Sequence, residues 1–192
     1  MARPAWSSEM KAPQAMLDKN DIRRAITRIA HEIIERNRGA SDLVLIGIRR
    51  RGAPLAHRLA AEITRIEGSP VSVGELDVTN HRDDRPRTEK AGLGSTEIGF
   101  PVDGKRVILV DEVLYTGRTV RSALEAIIHL GRPARIQLAI LIDRGHRELP
   151  IRPDYIGKNL PTSRTERIIV HLQEMDGEDG VYLEARSEEE SK

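Results

Sequence analysis

Apolar positions recur along this chain in two alternating rhythms. Ile22, Ala25, Ile26, Ile29, Ala30, Ile33 and Ile34 are spaced three and four apart, which lines them up on one stripe of an α-helix. The stretch Asp18 to Asp21 supplies candidate N-caps, and Gly39 closes the helix after about Asn37. Leu43 to Ile48 is then a buried strand, followed by a helix from Ala53 to about Ile66 and a strand from Val71 to Val78. Val107 to Val110 is a short, mostly β-branched run that reads as a strand covered on both faces. After Thr119 the helical spacing returns at Val120, Ala123, Leu124, Ile127 and Ile128. Arg135 to Ile142 is a further strand and Ile168 to Leu172 the last one. Strands alternating with helices predict an α/β domain with a parallel sheet core flanked by helices.

The polar segments follow the strand ends, and one of them combines several signals. Two acids, Asp111 and Glu112, close the Val107 strand, and Thr116, Gly117, Arg118 and Thr119 form the turn into the next helix. In open α/β sheets that edge is where ligands bind. Free backbone N–H groups, the two hydroxyls and the positive end of the helix converge there on an anion, and Gly117 lets the backbone approach closely. Two carboxylates beside a bare phosphate would repel it, so something between them must separate the charges. A ribose does so: its 2′- and 3′-hydroxyls donate to Asp111 and Glu112 while a 5′-phosphate lies in the Thr116 to Thr119 turn. The residues themselves imply a phosphorylated sugar and no more.

Three other polar segments are readable in two ways each. Gly47-Ile48-Arg49-Arg50-Arg51-Gly52 can supply backbone N–H groups to a pyrophosphate, with Arg51 as counter-charge, or is ordinary surface charge. Asn80 to Pro101 is a long polar connection, either a mobile arm that closes with Arg82 toward a pyrophosphate or a surface hairpin. Arg24, Thr27, Arg28 and His31 lie together on the polar side of the first helix. They suit phosphates and nucleotide edges, and equally suit a solvated face on which Glu32 and Glu35 offset the arginines. Asp143 to Asn159, rich in basic and turn residues, reads as a loop at the ligand edge.

Composition narrows the classes. A length of 192 residues with 39% apolar content suits one domain, and no run is long enough to cross a bilayer. With no cysteine there is no disulfide frame, thiolate metal site or catalytic thiol. Residues 1–15 read as a polar, proline-bearing segment expected to be disordered, residues 16–183 as the domain and residues 184–192 as an acidic tail. No signal or lipidation pattern is visible, so the cytoplasm is the expected location. The net charge of +1 hides an asymmetry, because residues 174–192 hold eight acids against two bases and the rest is basic.

The Val107 to Thr119 stretch resembles the phosphoribosyl-pyrophosphate (PRPP) signature of the type I phosphoribosyltransferases. Arg23 to Glu32, Asp143 to Arg152 and Ile156 to Ser163 are similar to blocks of one branch, the PyrR regulators of pyrimidine operons, over roughly Met16 to Val181. That resemblance implies a type I phosphoribosyltransferase-like fold with a mobile arm and a base-binding hood loop. It implies a uridine-nucleotide-responsive regulator that binds the leader mRNA of pyrimidine genes, and a uracil phosphoribosyltransferase. Asp111, Glu112 and Arg82 would be catalytic, and Arg50, Arg51, Asp111, Glu112, Thr116, Gly117, Arg118 and Thr119 would bind PRPP or nucleotide. Arg144 and the Ile156 backbone would lie near uracil. Thr27, Arg28, His31, Arg36, His146, Arg147, Arg152 and Lys158 would bind an RNA stem-loop. Mg²⁺ would enter with PRPP, with no direct protein ligand; UMP or UTP would be the effector, no membrane is involved, and a homodimer or larger oligomer is implied. Here the branch's usual Asp-Asp pair reads Asp111-Glu112, its loop threonine is Arg50, and Asn80-His81 replaces an apolar-aromatic pair. A non-catalytic UMP- or UTP-sensing RNA regulator and a salvage phosphoribosyltransferase for another base remain the alternatives.

Overall fold

The protein is described here by a computed structural model covering residues 13–78 and 96–185. Its elements are β1 (Gln14–Leu17), α1 (Lys19–Asn37), β2 (Leu43–Ile48), α2 (Gly52–Glu67), β3 (Ser72–Leu76), β4 (Arg106–Leu114), α3 (Arg118–Leu130), β5 (Arg135–Asp143), β6 (Tyr155–Asn159), β7 (Glu166–His171), α4 (Gln173–Asp176) and β8 (Gly180–Ala185). Five of the strands form one parallel sheet in the order β3-β2-β4-β5-β6.

Both faces of this sheet are covered, which is why its central strands are apolar without interruption. Leu45, Ile108, Val110 and Leu141 pack with the stripes of α1 and α2, whereas Val44, Ile46, Leu109 and Ile140 pack with α3. The α1 stripe is the expected one: Ile22, Ala25, Ile26, Ile29, Ala30 and Ile33 are buried, with Ile34 packed at the edge. Its start is a capping box, with Asp18 accepting from the Asp21 N–H at 2.8 Å and Asp21 from the Asp18 N–H at 3.1 Å. On α3 one expected core position fails. Ile128 is 64% exposed while Ser122 and Ala126 are buried, because the stripe is centred on Val120, Ala123 and Ile127 and position 128 lies a further 100° around the helix.

Two expectations are corrected. Ile168 to Leu172 does not continue the parallel sheet: β7 pairs antiparallel with β8, and β8 with β1, in a separate three-stranded sheet. β1 takes in Gln14 and Ala15, and β8 takes in Glu184 and Ala185. The Asp143 to Asn159 segment is not all loop, since β6 is the parallel sheet's edge strand, with Ile140 opposite Ile156. A side chain at Gly157 would come within 2.4 Å of the Leu141 carbonyl, so only glycine allows β6 to lie this close. Tyr155, the first residue of β6, is buried and accepts from Asn37 at 3.1 Å and Gln137 at 2.9 Å. Among the described residues no helix is long and apolar enough to cross a membrane.

Candidate active site

Parallel order sends the ends of β2, β4 and β5 to one edge, where the loop Arg49–Gly52, the acid pair and the turn into α3 meet. Gly52 makes this approach possible: a Cβ there would lie 2.4 Å from the Val110 carbonyl and 3.2 Å from the Asp111 Cα. The basic loop thus rests directly on the segment that carries the acids. Strand β4 extends past the acids to Leu114, with Asp111 opposite Ile140. Asp111 and Glu112 therefore lie within the strand's last turns of pleat instead of beyond its end.

Asp111 is buried and accepts the Glu112 N–H at 2.9 Å. Burial pushes its carboxyl well above the usual carboxylate range, the Glu112 charge and a hydrogen bond between the two carboxyls push it further, and the backbone bond opposes them. Such a pair is short of donors, and ribose hydroxyls or a hard cation would supply what it lacks. Gly117, at φ 93°, is the left-handed residue from which α3 starts. The Thr116 hydroxyl lies 3.4 Å from the Arg118 N–H, Thr119 is half-buried in the first turn, and Arg118 pairs with Glu148 at 2.8 Å. The turn therefore brings the two threonine hydroxyls and the start of α3 together.

The three arginines of the β2–α2 loop diverge. Arg49 pairs with Glu75 and Glu97 at 2.9 and 3.1 Å. Arg50 is exposed. Arg51 reaches Asp176 of α4 at 2.8 Å, so the expected pyrophosphate counter-charge is tied to the small sheet's neighbourhood. Arg82, Asn80 and His81 lie outside the described residues. Among the described residues no group of three or more histidines, aspartates and glutamates is arranged to hold a metal ion.

The base-binding expectation meets a packed arrangement. Arg144 is 5% exposed, lies over the Tyr115 ring at 3.9 Å, and donates to Thr162, Ser163 and Glu166 at 2.9, 3.2 and 2.8 Å. A direct bond from it to a base would displace those contacts. The Ile156 carbonyl accepts from Arg28 at 3.0 Å. Tyr115, to which sequence reasoning gave no role, is the hub: Arg144 stacks on it and His146 meets it edge-on at 5.9 Å. The signal was an aromatic residue inside an acid-and-phosphate stretch in a chain with only 3% aromatic content.

The expected RNA residues fall into separate neighbourhoods. Thr27, Arg28 and His31 line one groove between α1 and α2. Arg28 also holds the Gly157 carbonyl at 2.6 Å and Glu32 at 2.7 Å, joining that groove to β6, where Lys158 is exposed. Arg36 sits nearer the start of β6, paired with Asp154 at 3.0 Å and 5.7 Å from the Tyr155 ring centre. Arg147 is a clamp between its own loop and the end of β4, bonded to Asp143, Tyr115 and Ile151 at 2.5, 2.9 and 3.0 Å. His146 faces the Thr162 carbonyl, and Arg152 is exposed.

The family described as "Phosphoribosyl transferase domain" matches residues 14–173. The "Bifunctional protein PyrR" of Pelotomaculum thermopropionicum is 63% identical over 88% of this chain and 93% of its own. That of Halalkalibacterium halodurans is 58% identical over 90% and 97%. Among solved structures, a hypoxanthine phosphoribosyltransferase of Trypanosoma cruzi superposes with a TM-score of 0.69 at 17% identity, covering 91% of this chain and 97% of the other. One from Staphylococcus aureus gives 0.67 at 19%, covering 92% and 93%. At such identities the structures speak for the fold alone.

Proposed function

Because this chain belongs to the phosphoribosyl transferase domain family, and within it to the bifunctional PyrR proteins, we propose that it is a uracil phosphoribosyltransferase that also binds pyrimidine-gene leader RNA in response to UMP or UTP. The observation that carries the first half is the packing of Gly52 on the Val110–Asp111 backbone, which gathers a basic loop, an acid pair and a helix start at one sheet edge.

In the reaction, N1 of uracil bonds to C1′ of PRPP as the C1′–oxygen bond to pyrophosphate breaks, and the N1 proton is lost. The ribose centre becomes cation-like on the way, so positioning and charge stabilisation matter more than a nucleophile. Asp111 and Glu112 take the 2′- and 3′-hydroxyls. The backbone of Thr116 to Thr119 and the two threonine hydroxyls hold the 5′-phosphate. Arg50, Arg51 and Arg82 offset the pyrophosphate charge. Mg²⁺ bound with PRPP would supply charge neutralisation at the pyrophosphate, with no side chain of this chain needed as a direct ligand. Arg144 acts through Tyr115, holding the ring and the 143–147 turn beside the anion loop. The RNA-binding half is supported by the basic groove of Thr27, Arg28 and His31, and a homodimer or larger oligomer would extend that face.

Two assays test this together: uracil plus PRPP turnover, and leader-RNA binding with and without UMP. Turnover with UMP-strengthened RNA binding is the expected result. RNA binding without turnover would make the protein a sensor only, a reading favoured by Arg51 being held by Asp176. Turnover of another base without RNA binding would make it a salvage enzyme.

A further inference from the structure

The groove between α1 and α2 encloses about 1000 Å³, and Lys19, Arg23, Arg24, Arg28 and Arg65 line it. That is the electrostatic footprint of a polyanion site. Within this basic rim, however, sits a carboxylate. The Thr27 hydroxyl on α1 donates to Glu62 Oε1 on α2 at 2.8 Å. Arg65 closes on the same carboxylate with Nη2 at 2.9 Å and Nε at 3.0 Å. Arg65 first, then Thr27, hold the Glu62 carboxyl down at about 2, so it is ionised at neutral pH.

A hydroxyl has one proton and two lone pairs, and an ionised carboxylate has about four acceptor positions and no proton. With its proton committed to Glu62, Thr27 offers a ligand lone pairs only. Glu62, with three bonds accepted, has an acceptor position left. The wall of the groove is therefore a pair of acceptors inside a ring of donors. A phosphate oxygen, itself an acceptor, finds no bond there and is repelled by Glu62; the arginines on the rim take it instead. The complementary group has two donors side by side. Among the RNA bases only guanine presents that on its Watson–Crick edge, as N1–H and the N2 amine. Adenine and cytosine set one amine beside an acceptor, and uracil sets one N–H between two carbonyls.

We infer that Thr27 and Glu62 form a guanine-reading pair in this groove, selecting one guanosine of a single-stranded RNA loop while the arginine rim holds its phosphates. The inference rests on the RNA-binding reading above and adds the base to it. It also assigns Glu62, an acid in a basic groove, a role in specificity and not in attraction.

The test uses two hairpin RNAs with one stem, the first with a loop of alternating uridine and guanosine, the second with inosine replacing each loop guanosine, which removes only the N2 amine. Binding to the full-length protein is followed by fluorescence anisotropy with UMP present. The parent should prefer the guanosine hairpin by about tenfold or more, the range of one two-point base contact. Thr27→Val should bring the ratio close to one. Glu62→Gln should lower the ratio while raising affinity for both hairpins, because Arg65 is released toward phosphate. A purely structural role for the pair would weaken both hairpins alike and leave the ratio unchanged, and that outcome would overturn the inference. So would equal binding of the two hairpins by the parent. Failure of the parent to bind either hairpin, with uracil turnover intact, would instead remove the RNA reading and the inference with it.

Discussion

Asp111, buried beside Glu112 with its pKa raised well above the ordinary range, sets binding against stability. An acid whose folded pKa is raised is most favourable to folding below its unfolded pKa of about 4, and that contribution is lost as pH climbs from there through the folded value. At neutral pH the ionised form is therefore a burden that ligand hydroxyls would relieve. Asp111→Asn should raise the melting temperature at pH 7 and flatten its fall between acid and neutral pH, read by thermal melts across pH. The same change should weaken PRPP by about 1.5–3 kcal/mol, the value of a hydrogen bond to a charged group, as read by calorimetry. Unchanged PRPP affinity would place the ribose elsewhere. On the helix face the residues are not equivalent. His31→Ala should weaken leader-RNA binding by about 1–3 kcal/mol if it reads a base edge, with turnover intact. Arg28→Gln should disturb more than RNA binding, because Arg28 also holds the Ile156 and Gly157 carbonyls of β6.

At the scale of elements, two junctions carry local energy that can be measured. The α1 start depends on reciprocal bonds between Asp18 and Asp21, so Asp18→Ala should cost about 1 kcal/mol in denaturant unfolding and leave PRPP affinity alone. The β2–α2 turn is different because its glycine touches the site. A Cβ at Gly52 must move the Val110–Asp111 backbone or the loop itself, so Gly52→Ala should lower stability by about 1–3 kcal/mol and raise the PRPP KM together. Loss of stability with an unchanged KM would separate the loop from the ligand. The sequence of this loop suggested Arg51 as the pyrophosphate counter-charge, but position decides which arginine remains available: Arg49 and Arg51 are paired, and Arg50 is exposed.

Across the whole molecule, the small sheet is joined to the parallel one by a shared apolar core that includes Leu17, Ile168, Val170 and Val181. Arg58 of α2 adds a polar clasp, meeting Glu174 at 2.6 Å and Asp179 at 2.7 Å. Removing one partner leaves the nearly buried Asp179, 7% exposed at its side chain, without its cation. Arg58→Met should therefore destabilise by about 2–4 kcal/mol, and hydrogen exchange should rise first in β7 and β8. A uniform rise over the parallel sheet would mean that the two sheets unfold as one unit.

The sequence by itself determined the elements whose pattern one face of burial dictates: the α1 and α2 stripes, the apolar central strands, and the acids and threonine turn at the end of β4. These signals are local, since period and turn chemistry act within a few residues. Pairing partners were not legible, because pairing is chosen by contacts between distant segments. β1 and β8 are short, half-exposed strands that find each other across the chain, with Gln14 opposite Leu183, and β6 has a polar, glycine-bearing sequence that reads as loop until Leu141 lies against it. The same division runs through the site. Asp111, Glu112, Thr116 and Gly117 were named by their neighbours in sequence. Tertiary structure alone turned Arg144 onto Tyr115, set Arg147 against the Tyr115 carbonyl and Thr27 against Glu62, because a side chain's partners, and so which of its donors and acceptors remain for a ligand, are fixed only when separate elements pack together.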